Sequence, residues 1–129
     1  MAKKEHPGKS LQEVAPLYGL GQFRKHLFLC TGPDCCTPEE GMSAWQALKA
    51  KIKQRFPRMA EAEIYRTKVG CLRMCRQGPI AVCYPEGKWF REVTAERVDE
   101  LVDYLASGSD APHPLEFFNH PLPDPAAGD

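Results

Sequence analysis

The spacing of apolar and polar positions changes period several times along this chain, and each change marks an element. Phe23 to Leu29 ends in the solid apolar run Leu27-Phe28-Leu29, the pattern of a buried strand. A helix is predicted next. Thr37 is placed to cap it, Pro38 suits its first position, and Glu40 completes a T-x-x-E capping box. Met42, Trp45, Leu48 and Ile52 then form its apolar stripe, and Pro57 stops it near Gln54–Phe56. Glu63–Val69 has strand composition and ends at Gly70. Ile80–Tyr84 is a short apolar strand, Pro85-Glu86-Gly87 a turn, and Lys88–Val93 the returning arm of a hairpin. Thr94 is expected to cap a second helix whose Val98, Leu101, Val102 and Leu105 share one face, with Gly108 as its stop.

The ends of the chain carry weaker patterns. Residues 1–22 are broken by Pro7, Gly8, Pro16 and Gly19, although Leu11, Val14, Leu17 and Leu20 recur in steps of three, which fits a short helix or turn. Residues 109–129 hold five prolines and are expected to form a tail that packs in part through Leu115, Phe117 and Phe118 and ends disordered. The order β-α-β-β-β-α describes an α/β fold, a small mixed sheet packed by two main helices. Its first two strands run parallel through a right-handed crossover, and its last two form an antiparallel hairpin. The divisions are an N-terminal extension, 1–22, a folded domain, 23–108, and a Pro-rich C-terminal tail, 109–129.

Seventeen basic and seventeen acidic residues balance, so no overall field favours nucleic acid or an acidic membrane. The charge is uneven: residues 55–76 carry six bases against two acids, and residues 85–129 carry ten acids against three bases. Neither a signal peptide nor an apolar run of ~20 residues is present, which points to the cytoplasm. In a reducing compartment, cysteines at paired spacings read as metal ligands or catalytic groups rather than disulfides.

The chemistry concentrates in two short runs. Cys30 and Cys35 read C-x4-C, and Cys71 and Cys75 read C-x3-C. Each run follows a predicted strand, so a parallel pairing brings both to one edge of the sheet. Four thiolates suit zinc, usually from tight C-x2–4-C knuckles, or an iron–sulfur cluster held by wider loops. Two pairs fit a [2Fe-2S] rhomb, which needs two ligands at each iron. Cys35 also precedes a helix N-terminus, where the free N–H groups favour negative charge. Arg73 and Arg76 act in the same direction and Asp34 against it. Cys36 offers a competing C-x5-C with Cys30.

The segment LFLCTGPDC, from Leu27 to Cys35, resembles the first ligand loop of the thioredoxin-like [2Fe-2S] ferredoxins. These are relatives of the small iron–sulfur subunit of NADH–quinone oxidoreductase. The run VGCLRMCRQGPIAVCYPEGKWFREVTAERVDELVDYL resembles that family's second loop, hairpin and closing helix. The likeness spans residues 23–108. It implies a thioredoxin-like fold, a [2Fe-2S] cluster on Cys30, Cys35, Cys71 and Cys75, one-electron transfer without catalysis, and a homodimer.

The expected function is that of a soluble electron carrier with transient redox partner proteins docking over the 30s and 70s loops. The alternatives are an electron-transfer subunit of a larger oxidoreductase, a four-cysteine zinc module with a structural or interaction role, and an iron–sulfur sensor with Cys36 as its reactive thiol. Cys83, in an apolar strand, is expected to be core. Without a C-x-x-C, dithiol exchange is not expected. His6, His26, His113 and His120 show no ligand spacing, and Trp45 and Trp89 read as core anchors.

Overall fold

The computed structural model describes residues 7–109 and 111–121. The N-terminal segment forms a short helix α1, Leu11–Val14, closed by a capping box between Ser10 and Glu13, and a 3-10 turn, Ala15–Tyr18. Strand β1 is Lys25–Cys30, helix α2 Pro38–Arg55 and strand β2 Ile64–Val69. Strands β3, Ala81–Tyr84, and β4, Lys88–Phe90, form the hairpin, followed by helix α3, Val98–Ser107, and strand β5, Glu116–Asn119. The sheet order is β2-β1-β3-β4-β5, with β1 parallel to β2 and the other pairs antiparallel.

Strand alternation explains the layers. Leu27, Leu29, Ile64, Ala81, Cys83 and Phe90 point to one face and join Ala44, Leu48 and Ile52 of α2 and Val98, Leu101, Val102 and Leu105 of α3 in the main core. The opposite face presents His26, Phe28, Tyr65, Tyr84 and Trp89, all half-buried. There His26 stacks on Phe28 with ring centroids 4.0 Å apart and shares a 2.8 Å hydrogen bond with Thr67.

The Thr37–Glu40 capping box is present on both sides, with Thr37 N–H donating to Glu40 and Glu40 N–H donating to Thr37 Oγ1. Such a cap contributes about 1 kcal/mol and fixes where the loop becomes helix. The buried stripe of α2 is rotated from the expected one. It runs through Gly41, Ala44, Leu48 and Ile52, and Met42 is 38% exposed. The small residues let the helix lie close to the sheet. Gly41 packs so tightly that a Cβ there would sit 2.3 Å from the Thr31 carbonyl oxygen.

Other expectations need correction. Cys30 is the last residue of β1 rather than a loop residue, its N–H donating to the Ile80 carbonyl at 2.8 Å. The second arm of the hairpin stops at Phe90. Thr94 does not cap α3: it begins a turn closed by the Arg97 N–H on the Thr94 carbonyl, and Arg97 occupies the capping position without a side-chain capping bond. Gly108 ends the helix in the left-handed region, φ 71°, as expected. The residues read as a tail supply β5, which adds a fifth strand beside β4; Leu115 is buried as predicted, whereas Phe117 and Phe118 stay exposed on this edge strand. The disordered end expected of that tail lies outside the described residues.

The approach to β5 is held by a polar cluster. Lys88 donates to Tyr104, and Tyr104 donates to the Ala111 carbonyl. The Leu115 N–H donates to Nδ1 of the buried His113 at 3.1 Å.

Two outcomes follow from this packing. Alanine at Gly41, favoured over glycine by about 1 kcal/mol in an open helix, should here destabilise by roughly 2 kcal/mol through overpacking, measured as a lower urea midpoint. Burial lowers the His113 pKa against the opposing pull of Glu100 and Glu116 and with the help of Arg97. The unfolded chain therefore binds more protons, so the contribution of His113 is present above its ordinary value of 6.5 and is lost as the pH falls through the folded value. Urea midpoints at pH 5 and 7.5 should differ less in His113→Asn, whose side-chain oxygen can replace Nδ1, than in the parent.

Candidate metal centre

The parallel register of β1 and β2 brings the two cysteine runs together. Cys30 lies opposite Val69, and Thr31 N–H continues the pairing onto the Val69 carbonyl at 3.0 Å. Gly70 follows at the same edge, and the Cys30 thiol donates to its carbonyl at 3.7 Å. From there the chain enters the Cys71–Cys75 loop.

Cys30 and Cys35 influence each other's titration, as do Cys71 and Cys75, and Cys75 lies within electrostatic reach of Cys30 and Asp34. Cys36 is placed beside this set, its sulfur 3.7 Å from that of Cys35. Cys35 thus sits between Cys30 and Cys36. Among the described residues, no three His, Cys, Asp or Glu side chains converge to seat a single ion. The thiols come as two pairs, one buried and one exposed.

Backbone N–H groups face the sulfurs. Arg73 donates to Cys71 at 3.2 Å, and the backbone amides of Gly32 and Leu72 near Cys30 and of Ile80 near Cys35 pull those thiols' pKa down. Arg73 has φ 72°, a left-handed conformation uncommon outside glycine and asparagine. Burial raises the pKa of Cys30, Cys35 and Cys36; Cys35 adds to the rise at Cys30, whereas Cys30 opposes it at Cys35 and Cys35 opposes it at Cys36. At exposed Cys75 the rise comes first from the hydrogen bond with Cys71. The backbone donors oppose these effects by stabilising thiolate.

A second, small core supports the site. Cys30, Cys35 and Ile80 are buried together, with Cys36, Val69, Leu72 and Trp89 packed against them. Gly78 donates its N–H to the Cys35 carbonyl at 2.9 Å, and a Cβ on Gly78 would lie 2.3 Å from that oxygen. The Gly78–Pro79 peptide is cis, and the Pro79 carbonyl accepts from Val93 N–H at 2.9 Å. The loop beyond Cys75 is thereby tied to the segment entering α3. Sequence reasoning missed Trp89 as a support of this site and Gly78 as a contact of Cys35. The glycine before the proline was the available signal for the second.

Cys83 lies apart in the main core, fully buried, with its pKa pushed up to about 12 by desolvation. Iodoacetamide at pH 8 should leave it unmodified in the native protein and modify it on unfolding, read by mass spectrometry of its peptide. Gly78→Ala should displace Cys35 and lower the urea midpoint, with a cost of about 1–3 kcal/mol for the forced contact.

No protein-family model matches the chain. A 2Fe-2S ferredoxin from Clostridium pasteurianum is 31% identical over 84 residues, which are 62% of this chain and 82% of that protein. A 2Fe-2S ferredoxin from Aquifex aeolicus (strain VF5) is 31% identical over 93 residues, 67% of this chain and 82% of its own length. The solved structure of a thioredoxin-like [2Fe-2S] ferredoxin from Aquifex aeolicus matches with a TM-score of 0.64 at 28% identity, covering 78% of this chain and 96% of that one. Paired thiols at the end of a parallel strand pair, this sheet and these relatives lead to one conclusion: the chain belongs to the thioredoxin-like [2Fe-2S] ferredoxin family.

Proposed function

We propose that this protein is a one-electron carrier, not an enzyme, and that Cys30, Cys35, Cys71 and Cys75 hold its [2Fe-2S] cluster. The observation that carries the reading is the arrangement of the thiols as two pairs at one end of the β1–β2 pairing, Cys30 and Cys35 buried in one small core and Cys71 and Cys75 exposed on the facing loop. Such pairs suit two irons with two thiolates each better than one zinc with four. When bound, the cluster supplies a single-electron reservoir.

The chain's own residues set its surroundings. Arg73 aims its N–H at the Cys71 sulfur, and hydrogen bonding to sulfur tunes the potential. Ile80 and Trp89 exclude water from the buried pair. Cys35 is favoured over Cys36 because it is buried in the small core with Cys30 and Ile80, whereas Cys36 is half-buried at its edge.

Redox partners dock over the 30s and 70s loops in this reading. Exposed Arg73, Met74 and Arg76 beside the exposed Cys71 and Cys75 support that placement. A homodimer follows from the family resemblance and is supported by the half-buried aromatic face of the sheet. A cytoplasmic location belongs to the same reading. No helix among the described residues is long and apolar enough to cross a membrane.

The purified protein should absorb broadly in the visible and contain about two irons and two labile sulfides per chain, properties of a [2Fe-2S] centre. Serine at Cys30, Cys35, Cys71 or Cys75 should lower cluster content, and Cys36→Ser should retain it. A colourless protein with one zinc would overturn the proposal. Loss of the cluster in Cys36→Ser, but not in Cys35→Ser, would exchange the two assignments.

A further inference from the structure

A second concave site lies at the other end of the β1–α2–β2 crossover from the cysteines. This cavity, of about 630 Å³, opens between Tyr18 of the N-terminal segment, the last turns of α2 and the beginning of β2. Ile52, Phe56 and Ile64 supply apolar wall. Lys49, Lys53 and Arg66 also line it, and no aspartate or glutamate does. The volume falls within the range of small-ligand pockets, about 300–1,000 Å³.

The three cations lack counter-ions among the described residues. Their neighbours on α2 show the contrast: Lys51 and Arg55 both pair with Asp103. Arg66 is half-buried and lies over the Trp45 ring, 5.3 Å from its centroid, with its Nε buried and unpartnered. Burial also lowers its pKa. A partly desolvated charge without a counter-ion is costly, and an anion nearby relieves that cost. An arginine beside apolar wall suits a planar carboxylate, which its fork can bind through two donors.

We propose that this cavity binds an amphipathic organic anion, a carboxylate carried on an apolar chain, with the carboxylate among Lys49, Lys53 and Arg66 and the chain on Ile52, Phe56 and Ile64. A half-open pocket of this volume admits a small molecule, its apolar chain against the wall and its charge toward the rim. The site is set apart from the thiols by the length of β2: Ile64 pairs with Lys25 at the start of β1, and Val69 pairs with Cys30 at its end.

Octanoate titrated into the full-length, cluster-loaded protein tests the proposal, with calorimetry for affinity and backbone amide shifts for location. A single site is expected, with shifts centred on residues 49–56 and 64–66 and the visible spectrum unchanged. Octanol, with the same chain and no charge, should bind about tenfold more weakly, as expected on losing one charge-assisted contact. The double variant Lys49→Gln, Lys53→Gln changes the surface of α2 without touching the core. It should weaken octanoate about tenfold and leave octanol unchanged, and Arg66→Gln should do the same. Equal binding of octanoate and octanol, shifts mapping to the aromatic face of the sheet, or no effect of the double variant would overturn the proposal.

Discussion

The parallel pairing of β1 with β2 is the constraint on which the rest of the molecule depends. It sets Cys30 level with Val69, so the chain leaves both strands at one edge and both cysteine runs begin there. A parallel pair needs a crossover, and α2 supplies it. The helix must then begin within a few residues of Cys30, which explains the compact loop, the capping box at Thr37 and the close approach of Gly41 to Thr31. Packing, helix start and thiol placement are consequences of one register.

The thiol site has two physical halves. Cys30 and Cys35 belong to a small core, where desolvation favours the neutral thiol and backbone N–H groups favour the thiolate. Cys71 and Cys75 are exposed on a loop tied down beyond Cys75 by the contacts of Gly78 and Pro79. One half is fixed by the scaffold and the other faces solvent. That asymmetry suits a carrier, which must hold its redox group rigidly and still let a partner approach.

Much of this was legible in the residues because several signals coincided. At Thr37 the cap, the proline and the glutamate all marked one helix start, and the structure has it there. The cysteine runs followed segments with clear strand character. The buried face of α2 was misread because Gly41 and Ala44 contribute closeness rather than bulk, while Met42 carries a hydrophobic signal and remains exposed. Strand β5 was hidden for another reason. It has four residues, follows prolines and depends on pairing with β4, with Phe118 opposite Trp89. A tertiary partner makes that strand, and local propensity does not announce it. Thr94 looked like a cap but served a turn, since the helix gained its first buried residue only at Val98. The cavity beside α2 could not be read at all, because it needs the N-terminal segment, a helix end and β2 assembled together.

The placement of the two tryptophans has a spectroscopic consequence. Trp89 packs against the small core that holds Cys30 and Cys35, and Trp45 lies on α2 beneath Arg66. A visible-absorbing group seated among the thiols would therefore drain the excited state of the first indole more strongly than that of the second. The emission of this protein contains its own gauge of whether the thiol site is filled, with one tryptophan as the probe and the other as an internal reference.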